Sequence, residues 1–110
     1  MDLTRERCVP CDRLTKPMDR KEALKYAKLV DGWTIEGRSI YTDIKFKDFK
    51  RAMGFINKVA GLAERAGHHP DIYLHSWNRV RLTLSTHVIR GLSLNDFILA
   101  SRINKLKLQK

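Results

Sequence analysis

Apolar and polar residues alternate along residues 39–46: Ile40, Thr42, Ile44 and Phe46 share one face, while Ser39, Tyr41, Asp43 and Lys45 take the other. Successive side chains of a strand point to opposite faces, so this run predicts a half-buried strand of an antiparallel sheet. The period then changes. Phe49, Ala52, Met53, Ile56, Val59, Ala60 and Ala63 recur at the three- and four-residue steps that line one stripe of a helix. Asp48 stands where that helix needs a cap, Gly67 where it would close, and Pro70 forbids its continuation. Phe55, Leu62 and Ala66 fall on an adjoining face, which fits either a subunit contact or a wider core face.

Upstream, Asp19 and Glu22 have the spacing of a capping box, and a helix over 20–30 would bury Leu24, Ala27 and Val30 before Asp31 and Gly32 stop it. Residues 33–36 form a short strand, joined to the alternating one by a turn at Gly37 and Arg38. Downstream, strands over 72–77 and 80–87 flank Asn78 and Arg79. A two-residue loop there would pair Trp77 with Val80, but the register, and with it the face of Tyr73, His75 and Trp77, stays open. Gly91 breaks the chain, Ser93 and Asp96 repeat the capping-box spacing, and a last helix carries Leu94, Phe97, Ile98, Ala100, Ile103 and Leu106. The order is α-β-β-α-β-β-α, which implies an α+β domain built on one four-stranded antiparallel sheet. Residues 1–17, polar and holding Pro10 and Pro17, read as a flexible leader, and residues 18–110 as a single domain.

Composition changes this picture little. A chain of 110 residues is one domain, and 43% hydrophobic residues allow a small core that oligomerisation would help. The net charge of +10 favours an acidic partner, nucleic acid or an acidic protein surface. The basic residues are nevertheless spread over helices and tail, as on a solvated surface, with only residues 105–110 forming a short block. No apolar run approaches the roughly 20 residues that span a bilayer, and charges interrupt the first twenty positions where a signal peptide would lie, so the cytoplasm is the default location. Cys8 and Cys11 form a single C-V-P-C. Structural zinc takes about four ligands, and a redox pair should follow a strand and open a helix. Neither context is present, so the two thiols are expected at the surface.

The chemistry concentrates in residues 64–96, which hold all four histidines: His68, His69, His75 and His87. His68 and His69 follow a helix C-terminus, where the macrodipole favours a protonated imidazole. A side chain with a pKa of roughly 6.5 can give or take a proton at neutral pH. His87 ends a strand of alternating Thr and Ser. A metal site is disfavoured, because adjacent histidines rarely reach one ion and no i, i+4 His pair exists. No G-x-S-x-G elbow marks a nucleophilic serine. Asp96 has an ordinary role as the third residue of a capping box, and Glu64 as a solvated helix position.

These residues also carry a resemblance. The pattern Glu64, three residues, His68-His69-Pro70, six residues, Trp77, nine residues, His87, eight residues, Asp96 resembles that of the pterin-4a-carbinolamine dehydratases. The L-S-T-H ending at His87, G-L-S before Asn95 and F-K-D-F-K-R-A-M-G-F over 46–55 are similar too, and the match covers about residues 33–104. The resemblance implies helices on one side of a four-stranded antiparallel sheet, homodimers or homotetramers, and conversion of 4a-hydroxytetrahydropterin to quinonoid dihydropterin plus water without cofactor or metal. It assigns His68 and His87 as the acid–base pair and His69 as the residue that holds and orients the pterin. Ser85 and Thr86 would bond its heteroatoms, Trp77 would shape the pocket, and Gly67 and Val88 would touch ligand through backbone. Glu64 and Asp96 would orient histidines. Animal members also serve as dimerisation cofactors of a homeodomain transcription factor, so a non-enzymatic binding module, for a regulator or for nucleic acid, is the alternative.

Overall fold

In the alternating run, Ile40, Thr42 and Ile44 are all buried, and they face their counterparts on a second strand in the register Ile40↔Leu84, Thr42↔Leu82, Ile44↔Val80. The computed structural model describes residues 2–9 and 15–108; Cys11 and the last two residues of the basic tail lie outside these. Its helices are α1 (Arg20–Ala27), α2 (Phe49–Ala66) and α3 (Leu94–Lys107), and its strands β1 (Thr34–Glu36), β2 (Ser39–Lys45), β3 (Asp71–His75) and β4 (Arg79–Leu84). The strands form one antiparallel sheet in the order β1-β2-β4-β3. The predicted α-β-β-α-β-β-α order therefore stands, with short 3-10 turns added at Leu3–Arg5 and His87–Ile89. The buried faces of β2 and β4 pack under Phe55 and Val59 of α2 and Phe97, Leu99 and Ile103 of α3. The opposite face of the sheet carries Tyr41, Asp43, Tyr73 and Arg79 outward.

Several local readings change. α1 ends at Ala27, and Val30 reaches the core through a turn closed by its N–H on the Ala27 carbonyl. Ala23 is buried in place of Leu24, which is exposed. α2 is rolled relative to its apolar stripe: Ala52, Phe55, Val59 and Ala63 are buried, whereas Phe49 and Met53 are 51% and 38% exposed. The roll puts the Phe55 ring 5.0 Å from Phe46, centroid to centroid, so the adjoining face belongs to the core and the flank of the stripe faces out.

The β3–β4 connection is a three-residue turn, Ser76 to Asn78, with His75 opposite Arg79. Asn78 is drawn inward, its amide donating to the Phe46 carbonyl at 2.8 Å, and this sets the register. Ser76 and Trp77 take positive φ at the tip. Trp77 is thus in a turn and does not pair with Val80. Strand β4 stops at Leu84, and an isolated bridge between Thr86 and Gly91 folds His87 into the second 3-10 turn.

Residues 2–9 run beside α3. Leu3 is buried, and the Arg102 guanidinium donates to the carbonyls of Thr4 and Glu6. Residues 17–18 also pack tightly: the Met18 N–H donates to the Leu92 carbonyl, and a Cβ on Gly91 would lie 2.6 Å from the Pro17 Cβ. Gly91→Ala should therefore displace Pro17 and lower stability by about 1–3 kcal/mol, the usual cost of overpacking. Urea unfolding checks this, and an unchanged midpoint would contradict it.

Candidate functional site

The end of α2 delivers the first two histidines. Gly67 closes the helix in the left-handed region at φ 67°, where a residue without a Cβ is unstrained, and its N–H and that of His68 both return to the Ala63 carbonyl. The chain leaves the helix here, so His68 and His69 project from its C-terminus. They turn to different carboxylates. His68 Nε2 lies 2.6 Å from Asp96 Oδ1, with the two side chains 12% and 0% exposed. His69 Nε2 lies 2.9 Å from Glu64 Oε1, and both of these groups are in solvent.

Asp96 does two jobs. At the third position of α3, its Oδ2 accepts the Ser93 N–H at 2.9 Å, completing a reciprocal capping box. The same oxygen accepts the Thr86 hydroxyl at 2.9 Å, and the Thr86 hydroxyl also meets that of Ser93 at 2.8 Å. Oδ1 is left for His68. A carboxylate accepts only, so the imidazole places its Nε2 proton in this bond and leaves Nδ1 as the nitrogen that can exchange a proton. The Thr86 hydroxyl is therefore committed to Asp96 and Ser93.

These groups border a cavity of about 450 Å³. Gly67, His68 and His69 form one side of it, and Ser85, Thr86, His87 and Val88 another. His87 reaches it from the 3-10 turn, its side chain exposed and making no hydrogen bond among the described residues. Asp96 lies behind His68, and Glu64 behind His69. Trp77, at the hairpin tip, does not line the cavity. His75 is also elsewhere, stacked on Tyr73 at 4.8 Å on the outer sheet face.

The sequence reading missed Cys8, Val9, Ala66 and Asn95, which complete the lining among the described residues. Asn95 clasps the N-terminal segment from both directions: its Oδ1 accepts the Val9 N–H at 2.9 Å, and its Nδ2 donates to the Val9 carbonyl at 2.6 Å. A polar residue at the second position of α3 was visible, but its partner lies 86 residues away.

A larger cavity of about 550 Å³ occupies the outer sheet face, bordered by Tyr73, His75, Arg79, Arg81, Lys45 and Asp43. There the Arg81 guanidinium binds Asp43 through two hydrogen bonds and holds its carboxyl below the usual carboxylate range, leaving His75 as the one imidazole in the walls, with no buried carboxylate to orient it. The smaller cavity, with three imidazoles in its walls and a buried carboxylate behind one of them, is the better site for proton chemistry. Among the described residues, no group of three or more His, Cys, Asp or Glu side chains could hold a metal ion. No helix among these residues is long and apolar enough to cross a membrane.

Comparison with known proteins agrees with this site. Residues 15–106 match the family model described as pterin 4 alpha carbinolamine dehydratase. A relative from Alkaliphilus metalliredigens, named for the same family, is 40% identical over 106 residues, covering 94% of this chain and 95% of its own length. The mitochondrial pterin-4-alpha-carbinolamine dehydratase 2 of Arabidopsis thaliana is 36% identical over 113 residues, covering 98% of this chain and 60% of its own. Among solved structures, a transcriptional coactivator/pterin dehydratase from Brucella melitensis superposes with a TM-score of 0.76 at 34% identity, over 83% of this chain and 98% of that one. A pterin dehydratase-like RuBisCO assembly factor of the alpha-carboxysome shares the fold, with a TM-score of 0.59 at 23% identity, over 68% and 88%.

Proposed function

The chain belongs to the pterin 4 alpha carbinolamine dehydratase family, and from that membership we propose that it removes water from 4a-hydroxytetrahydropterin at the His68–His87 cavity, with those two imidazoles as the acid–base pair. The observation that carries the reading is the buried Asp96 carboxylate 2.6 Å from His68 Nε2, beside a cavity that His87 also lines. In the reaction a ring-nitrogen lone pair expels the oxygen from C4a. One imidazole protonates that oxygen as it leaves, forming water, and the other accepts the nitrogen-bound proton, giving quinonoid dihydropterin. Each such transfer contributes roughly 10²–10⁴-fold. His69, steadied by Glu64, holds the pterin, and Ser85 with the backbone near Gly67 and Val88 meets its edges. Thr86 acts through Asp96. Recycling the pterin of aromatic amino acid hydroxylases is the physiological role this reaction suits. Chemically generated 4a-hydroxytetrahydropterin should decay faster with the protein than in buffer; equal rates would remove the reading.

The clasp at Val9 gives a separate expectation. Two hydrogen bonds of about 0.5–1.5 kcal/mol net hold the wall that Cys8 and Val9 contribute. Asn95→Ala should therefore raise KM about 3–10-fold while leaving kcat within about twofold. Deletion of residues 1–9 should reproduce that KM in steady-state kinetics. A kcat loss without a KM change would contradict this role.

Homo-oligomers are also proposed. The exposed flank of α2 sets Phe49, Met53 and Ala60 at four- and seven-residue steps, beside a Gly54 with open space around it. A second α2 helix would cover that flank, and light scattering of a Met53→Asp variant reads the resulting loss of assembly. The outer sheet face sets Lys45, Arg79 and Arg81 against Glu36, Asp43 and Asp71, so the surplus positive charge lies elsewhere on the molecule.

A further inference from the structure

We propose that the catalytic cavity continues past His87 into an anion subsite formed by Arg38 and Arg90, and that the preferred substrate is a pterin whose side chain ends in phosphate or carboxylate. The proposal rests on the dehydratase reading and adds the substrate class. Ser85 and His87 line the catalytic cavity and also a second space of about 270 Å³, whose remaining walls are Arg38, Ser39, Arg90 and Gly91. A substituent leaving the pterin ring past His87 therefore enters a space walled by two guanidiniums. Both arginines also border a third space of about 300 Å³, where Arg20 joins them. None of the described residues lining either space is acidic.

Neither guanidinium is committed elsewhere among the described residues. Arg81 is bound to Asp43, Arg51 pairs with Asp48, and Arg102 donates to backbone carbonyls. Arg38 and Arg90 make no ion pair or side-chain hydrogen bond among the described residues. Their backbones are fixed all the same. Arg38 sits in the two-residue turn closed by the Glu36↔Ser39 pair. Arg90 is held in the left-handed region at φ 54°, with its N–H on the His87 carbonyl and the Thr86–Gly91 bridge around it. Such a conformation is unfavourable for a residue with a Cβ, and it places Arg90 next to the turn that presents His87. Guanidinium groups bind phosphate and carboxylate through paired N–H donors, so two unpaired ones facing a shared space with no carboxylate in its walls suit a mono- or dianionic group. A neutral hydroxylated side chain would leave both unused.

The test compares 4a-hydroxytetrahydropterins carrying a neutral dihydroxypropyl, a phosphate-terminated or a glutamate-terminated side chain. Wild type should show kcat/KM about 10–100-fold higher for an anionic side chain than for the neutral one, with most of the difference in KM. Phosphate exceeding glutamate would identify the dianion as the ligand, and the reverse would identify the carboxylate. In the Arg38→Ala, Arg90→Ala double variant the ratio should collapse to about one, and about 0.5 M salt should shrink it in wild type. Arg81→Ala, which removes one positive charge from the outer face, should leave the ratio intact. Equal kcat/KM for the three substrates in wild type, or a ratio that survives the double variant, would overturn the subsite while leaving the dehydratase reading in place. If none of the three is dehydrated, the dehydratase reading fails. Equilibrium binding of stable dihydropterins with the same side chains then decides the subsite, through the presence or absence of the anionic preference and its loss in the double variant.

Discussion

Asp96→Ala should cost the fold about 3–5 kcal/mol and abolish most of the activity with it. The carboxylate is fully buried and accepts from the Ser93 N–H and the Thr86 hydroxyl while pairing with His68. Alanine leaves the Ser93 N–H without its acceptor at the start of α3 and strands the imidazole, and each unsatisfied buried group costs about 1–3 kcal/mol. Against a total stability of roughly 5–15 kcal/mol that is a large fraction, so activity is better read in Asp96→Asn. Its carbonyl oxygen can still accept from Ser93 and Thr86. Its amide, however, is a donor facing His68 Nε2, and the ring must move its neutral-form proton to Nδ1. Stability should then fall by about 1 kcal/mol, whereas kcat should fall about 10²–10⁴-fold, as when a buried aspartate that sets a catalytic tautomer is replaced. Urea unfolding and steady-state kinetics check both numbers. An Asn variant with normal kcat would reduce Asp96 to a helix cap.

His87→Ala should show the opposite profile, nearly silent in stability and severe in rate. The side chain is exposed and makes no hydrogen bond among the described residues, so unfolding free energy should stay within about 0.5 kcal/mol of wild type. If the imidazole transfers a proton at C4a or at the ring nitrogen, kcat should drop about 10²–10⁴-fold. External imidazole should restore part of the loss, because the truncated side chain leaves room beside an open cavity. A rate within twofold of wild type would remove His87 from the chemistry.

Where the determinants are local, the sequence was sufficient. The period-two run of β2, the Ser93–Asp96 capping box and the Gly67 closure all depend on residues within a few positions of one another, and each stands as read. What escaped depends on distant partners. The apolar arc of α2 is wide enough to bury either flank, and contact with Phe46 selects the one containing Phe55. The hairpin register follows from the bond between Asn78 and the Phe46 carbonyl, 32 residues apart, which draws Asn78 into the turn and leaves Trp77 at its tip. Asp96 was legible as a cap because Ser93 is three residues away. Its contact with His68 spans 28 residues and arises only when α2 and α3 pack side by side. The wall supplied by Cys8 and Val9 was the least legible, since nothing in the N-terminal stretch signals that Asn95 will clasp it.

The central claim is that dehydration happens at His68 and His87 in the smaller cavity and not on the outer sheet face. Its most direct test is the decay of 4a-hydroxytetrahydropterin near neutral pH with wild type, with the His68→Ala, His87→Ala double variant and with His75→Ala, after unfolding curves show all three folded. Wild type and His75→Ala should accelerate the decay alike, and the double variant should return it to within about tenfold of the buffer rate. Undiminished acceleration by the double variant, or a loss confined to His75→Ala, would contradict the account.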